Sequence, residues 1–354
     1  MDNISTLLER ARAVRVFSGA VFIYGNSKGI TAEGSVGTLA WDGEPVESNS
    51  LWDLASVSKP LIMLSLMKLV EQGEVSLDDP ISYFLPSYLG TNKADITLFE
   101  LLTHTSGIPG QQPLYKQVKT PEEMREAVRQ LPLRNKIGST VEYTSQGYMI
   151  LGDIIESVTG NRLDTGMKEL VFAPLGIVNT MFNPPEQYIN RMAATEYCSW
   201  RNQTIRGMVH DENCVVLGGI AGHAGLFGTA KDLSIICQMM LRMGRTDNEE
   251  FLNPLTIKLM TENHTKSLNL ARALGWQGKD LKGSPAGDLF SPTSYGHTGF
   301  TGTSLWMDPE KDVFAILLTN RVHPTRENEK IKRIRAIYHN LAILDMQKIE
   351  NKVK

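Results

Sequence analysis

Cysteine is scarce: three residues in 354 (Cys198, Cys214 and Cys237), none in a C-x-x-C pair. That spacing excludes a thiolate zinc site, and an odd count in a long chain argues against a disulfide framework. Free, buried thiols in a reducing compartment are the expectation. Charge of one sign is also missing, since 36 Lys+Arg stand against 39 Asp+Glu, a net charge of −3. Such a balance gives no electrostatic footprint for nucleic acid and no basic stretch for an anionic membrane. No apolar run approaches the roughly 20 residues needed to span a bilayer. The opening MDNISTLLERARAV mixes charges in before any apolar run, so no signal peptide is visible. A cytoplasmic protein is therefore expected, unless an export leader was removed upstream. There is no internal repeat and no low-complexity segment. With 42% hydrophobic residues the chain can bury a substantial core.

Strand and helix signals divide along the chain. Ile4, Leu7, Leu8, Ala11 and Val14 recur at helical spacing. Ser18–Gly25 and Ile30–Leu39 flank the turn Asn26-Ser27-Lys28-Gly29 as a β-hairpin. A second helix, apolar on more than one face, follows Trp52–Ala55 and ends at Gly73. Helices and long loops fill the middle. Strand character returns at Gly302–Met307 and Val313–Leu318, and Glu327–Met346 is helical again. The pattern predicts an α+β fold: an antiparallel sheet flanked by terminal helices, with a mostly helical domain inserted. The expected boundaries are 1–75 and 294–354 for the sheet domain and 76–293 for the insertion. The active site would lie in the cleft between them.

Three short elements bear chemistry. In Ser56-Val57-Ser58-Lys59 the serine stands where the chain turns into the buried helix. Lys59, three residues on, projects from the same face. A serine hydroxyl needs a base before it attacks, and a buried amine at the positive end of a helix can be that base. Tyr143, in VEYTSQGYMI, lies in a loop before a helix, where a phenol can shuttle protons or simply pack. His297-Thr298-Gly299-Phe300 precedes the last hairpin. Its glycine lets a substrate approach, and the Phe300 N–H could join that of Ser56 in an oxyanion hole.

Each element is weak alone, but together, in this order, they resemble the serine β-lactamase and penicillin-binding superfamily. The branch they most resemble is the class C β-lactamase-related group, with its family VIII carboxylesterases and D-stereospecific peptidases. LWDLASVSKP (51–60), LLTHTSGIPG (101–110), LGGIAGHAGLFGTAKDL (217–233) and GHTGFTGTSLWMDPEKDVFAILLTN (296–320) extend the likeness along the chain. The resemblance implies a β-lactamase/transpeptidase-like fold and an acyl-enzyme mechanism on a small ester, amide or peptide substrate. It implies Ser56 as nucleophile, Lys59 as proton acceptor and Tyr143 as the group that serves leaving atom and water. It implies Ser56 and Phe300 N–H groups as the oxyanion hole, and Ser145, His297, Thr298 and Gly299 as substrate-binding positions. It implies no metal and no cofactor. Cell-wall muropeptides or D-amino acid peptides are one substrate alternative, and a penicillin-binding sensor with little turnover is another.

Two departures bear on substrate. The β-lactamases carry lysine where this chain has His297, and asparagine where it has Ser145, which lacks an amide's paired donor and acceptor. Both weaken the expectation of lactam turnover.

Other signals have plainer readings. The glycines from Gly218 to Gly228 contain no nucleotide-binding pattern. His210-Asp211-Glu212 lacks partners at metal-ligand spacing, so a substrate-contacting loop is expected there. His104 is expected to be structural, and Met239, Met240 and Met243 to fill core. Lys330, Lys332, Arg333 and Arg335 are expected on the solvated face of the last helix.

Overall fold

The computed structural model describes residues 3–353. Helix α1 (Asn3–Ala13) leads into strands β1 (Gly19–Asn26) and β2 (Gly29–Gly37), the expected hairpin. Further along come α2 (Ser58–Glu71), α3 (Gln146–Thr159) and α4 (Ala230–Leu241). The chain closes with β3 (Gln277–Gly278), β4 (Tyr295–Thr298), β5 (Ser304–Asp308), β6 (Val313–Thr319) and α5 (Ile331–Val353). The main sheet has six antiparallel strands in the order β2-β1-β6-β5-β4-β3. The first strand therefore pairs with the last, Ala20 opposite Thr319 and Gly25 opposite Phe314.

Alternation along these strands sorts the two cores. Phe22, Tyr24, Trp306, Ala315 and Leu317 point to the face covered by α1 and α5. Val21, Ile23, Leu305, Met307, Ile316 and Leu318 point to the opposite face, where α4 packs and the core of the helical region continues. Each such buried aliphatic or aromatic side chain contributes roughly 1.5–3 kcal/mol. Tyr338, fully buried on α5, places its hydroxyl within hydrogen-bonding distance of Ile23 O (3.0 Å) and Ile316 O (2.8 Å), bringing the helix against both strands.

Three expectations are corrected. Met239 and Met240 are buried, but Met243 lies beyond the end of α4 with φ +55° and is largely exposed. Arg335 is not on a solvated face. It is buried, and its Nη2 donates to Gly299 O and Thr303 O. Helix α5 starts four residues later than the spacing suggested.

Candidate active site

A short 3-10 turn, Ala55–Val57, leads directly into α2, so Ser56 sits at the helix entrance. The turn is held from beneath by Asp53. Its carboxylate accepts from Ala55 N–H (2.8 Å) and from His210 N–H (2.7 Å). Burial raises the Asp53 pKa against the pull of His210 and these two donors. Ala55 takes φ +47°, a strained conformation for a residue with a Cβ.

Lys59, one turn on, is fully buried. Its ammonium donates to Ser56 Oγ (3.1 Å) and to His223 O (3.1 Å), and no carboxylate pairs with it among the described residues. Gly222 makes the second bond possible. A Cβ there would collide with Tyr148 O, so only glycine lets this loop lie against α3. His223 is steadied in turn by Asp211, its Nε2 lying 3.0 Å from Oδ1.

Tyr143 stands three residues before α3, with its ring 4.8 Å from the Lys59 ammonium. Its hydroxyl is buried and has no hydrogen-bond partner among the described residues. His104, with φ +59°, accepts from Thr144 N–H at Nδ1 and stacks on Tyr143 (centroids 4.6 Å) and Tyr148 (5.1 Å). Burial first, then Arg272 and Lys59, hold His104 well below its ordinary pKa.

Strand β4 presents the third element. His297 is buried and its centroid lies 6.1 Å from that of Tyr143. Burial, with the charges of Lys59 and Arg272, lowers its pKa to about 3, so it is neutral at physiological pH. Gly299 has no room for a side chain: a Cβ would meet Thr303 Oγ1 and Leu54 O. Its N–H donates to Thr303 O (2.8 Å), and the next N–H, that of Phe300, has no partner among the described residues.

Ser56 and Phe300 divide the cleft into two lobes. One is about 410 Å³ and includes Tyr143, His297, Thr298 and Gly299 in its walls. The other is about 350 Å³ and includes Tyr115, His210, Asp211 and Asn213. Of the site residues singled out in the sequence, Ser145 and Lys59 line neither lobe; Lys59 lies beneath Ser56. Ser145 is buried at the start of α3. Sequence reasoning missed Arg272 and Arg321 in the first lobe, which Arg335 also lines, and Asp53 beneath the turn. Single basic residues carry no motif, and the Asp53 contacts span the chain.

Glu196, Cys198 and Glu212 place three ligand-type atoms within 4.8 Å of one another. The Arg326 guanidinium bonds both carboxylates and supplies their counter-charge. The three cysteines are buried free thiols. No helix among the described residues is long and apolar enough to cross a membrane.

This fold, with a serine at a helix entrance beside a buried lysine, is that of a β-lactamase-related serine hydrolase. Residues 5–339 match the model of the Beta-lactamase family, and the chain belongs to that family. An Escherichia coli (strain K12) protein named "Putative D-alanyl-D-alanine carboxypeptidase" is 33% identical over 326 residues, covering 81% of this chain and 73% of that one. Among solved structures, EstCE1, a hydrolase with promiscuous acyltransferase activity, is similar with TM-score 0.78 at 22% identity, over 97% of both chains. The class C β-lactamase of Rhodobacter sphaeroides is similar with TM-score 0.76 at 20% identity, over 97% of this chain and 99% of that one.

Proposed function

We propose that the chain hydrolyses ester or amide bonds through an acyl-enzyme on Ser56. The observation that carries this reading is the buried Lys59 amine, whose acceptors are Ser56 Oγ and one backbone carbonyl. That geometry places the amine within reach of the serine proton.

Ser56 Oγ attacks the carbonyl carbon as Lys59, in its neutral form, takes the hydroxyl proton. The negative charge moves to the carbonyl oxygen, held by the N–H groups of Ser56 and Phe300. Collapse breaks the bond to the leaving atom, which takes a proton from Tyr143, and Lys59 returns one to Tyr143. Water on the Tyr143 side then attacks the acyl carbon and gives its proton through the same groups. The acid leaves and Ser56 is restored. The unpartnered Tyr143 hydroxyl supports this role, because a substrate atom or water would complete its hydrogen bonding.

The name of the E. coli relative supports an amide or D-amino acid peptide among the substrates. The test is the rate of p-nitrophenyl butyrate hydrolysis by wild type, Ser56→Ala and Lys59→Ala at matched folding. Each variant is expected to lose about a thousandfold or more. Wild-type rates in either would remove that residue from the mechanism.

A further inference from the structure

We propose that the groove bordered by helix Pro121–Gln130, α3 and the turn at Leu85–Tyr88 is a second binding site, and that its ligand is a small organic dication, an alkanediamine or polyamine. The groove is about 600 Å³ and shares no lining residue with either lobe of the cleft. That volume suits a small molecule.

The charges around it do not balance. Glu122, Glu126, Asp153 and Glu156 border the groove, against Arg125 and Arg129, leaving two negative charges in excess. Both guanidiniums are already committed. Arg129 bonds Glu126 and the carbonyl of Ser87. Arg125 donates from Nε to Asp153 (2.8 Å) and lies 3.6 Å from Glu156, so one cation answers two acids. Arg162 is near enough to Glu156 to be felt, but its fork is taken by Asp164. Burial raises the Asp153 pKa against the pull of Arg125. Glu122 is exposed and makes no hydrogen bond or ion pair among the described residues.

Tyr88 is the independent sign of a ligand. It is 5% exposed and borders the groove, yet its hydroxyl has no hydrogen-bond partner among the described residues. Burial, then the charge of Asp153, holds the phenol well above its ordinary pKa, and Glu126 acts in the same sense, which sets the hydroxyl beside these carboxylates. Buried polar groups are normally satisfied, and an ammonium N–H would give this oxygen its donor. The acids do not converge on a point. No three of them bring oxygens within 4.8 Å of one another, so separated ammoniums suit the groove better than one metal ion. Leu85 offers apolar surface for the methylenes between them.

The test is isothermal titration calorimetry with 1,4-diaminobutane and with butylamine at neutral pH and about 20 mM salt. Wild type is expected to bind one diamine per chain, about tenfold or more tighter than the monoamine, the worth of a second charge-assisted contact. Salt raised to about 0.5 M should weaken it. Tyr88→Phe removes only the unpartnered hydroxyl and should weaken the diamine about tenfold at unchanged net charge. Glu122→Gln, at an exposed position, should weaken it about two- to fivefold. A diamine that binds no tighter than butylamine, or not at all, overturns the proposal. So does wild-type affinity in Tyr88→Phe, because diffuse attraction to acidic surface does not need the hydroxyl. Circular dichroism checks the fold. If Tyr88→Phe does not fold, wild-type affinity in Glu122→Gln overturns the proposal instead. The peptide acetyl-Lys-Gly-Lys amide is titrated beside the diamine, and tighter binding of the peptide would overturn the small-molecule assignment in favour of a protein segment.

Discussion

Lowering the pH from 7 to 5 is expected to destabilise the fold by about 4 kcal/mol through His297 and His339. Burial, the largest cause in each case, lowers both pKa values from 6.5 to about 3. The folded state therefore holds these imidazoles neutral while the unfolded chain protonates them. Stability from this source is complete above pH 6.5 and is lost as pH falls toward 3. Each proton bound only by the unfolded chain costs about 1.4 kcal/mol per pH unit. From pH 7 to 5 this amounts to about 2 kcal/mol per histidine. His104, also lowered, adds a loss of the same sign. His339 allows a clean check because it lies in the α5 core, against Phe290 and bonded to Pro285 O, away from the cleft. Urea unfolding of wild type and His339→Gln at pH 7, 6 and 5 should show the variant losing about 2 kcal/mol less over the range. The difference between the two proteins cancels every other group, including the Asp53 carboxyl, whose upward shift acts in the opposite sense. Parallel pH curves for the two proteins would refute the reasoning.

Three further outcomes are expected. Gly299→Ala should push the Phe300 N–H out of place through its clash with Leu54 O, lowering kcat by about 10- to 1000-fold with the fold kept by circular dichroism. Asp53→Ala leaves the buried N–H groups of Ala55 and His210 without acceptors, and denaturant titration should find a loss of about 2–6 kcal/mol. Arg326→Met removes the guanidinium shared by Glu196 and Glu212, and because that guanidinium is partly solvated the same titration should find a loss of about 1–3 kcal/mol, smaller at low pH where the carboxyls can take protons.

What could be read from the sequence was whatever depends on neighbours a few residues apart. Ser56 and Lys59 share a helical turn, so spacing alone predicts that they meet. The β1–β2 hairpin is announced by its turn, and β5 and β6 by their apolar runs. What could not be read depends on packing between distant segments. Arg335 belongs to a run, KIKRIR, that looks solvated. Only the approach of Gly299 and Thr303 to α5 reveals that it is buried. Met243 continues a helical pattern, yet α4 has already ended before it. Strand β3 has two residues and no pattern at all, and the segment leading to it brings Arg272 to the cleft.

The pairing of β1 with β6 also bears on how the enzyme is made. Ser56 and Lys59 leave the ribosome early, with some 240 residues still to be synthesised before Phe300. Until β6 arrives to pair with β1, the partial chain has the proposed nucleophile without the finished sheet that sets Phe300 and the 410 Å³ lobe beside it. Contacts so distant in sequence form late and slowly. On the proposed mechanism, a nascent chain that stalls short of its final strands carries the serine without its oxyanion hole.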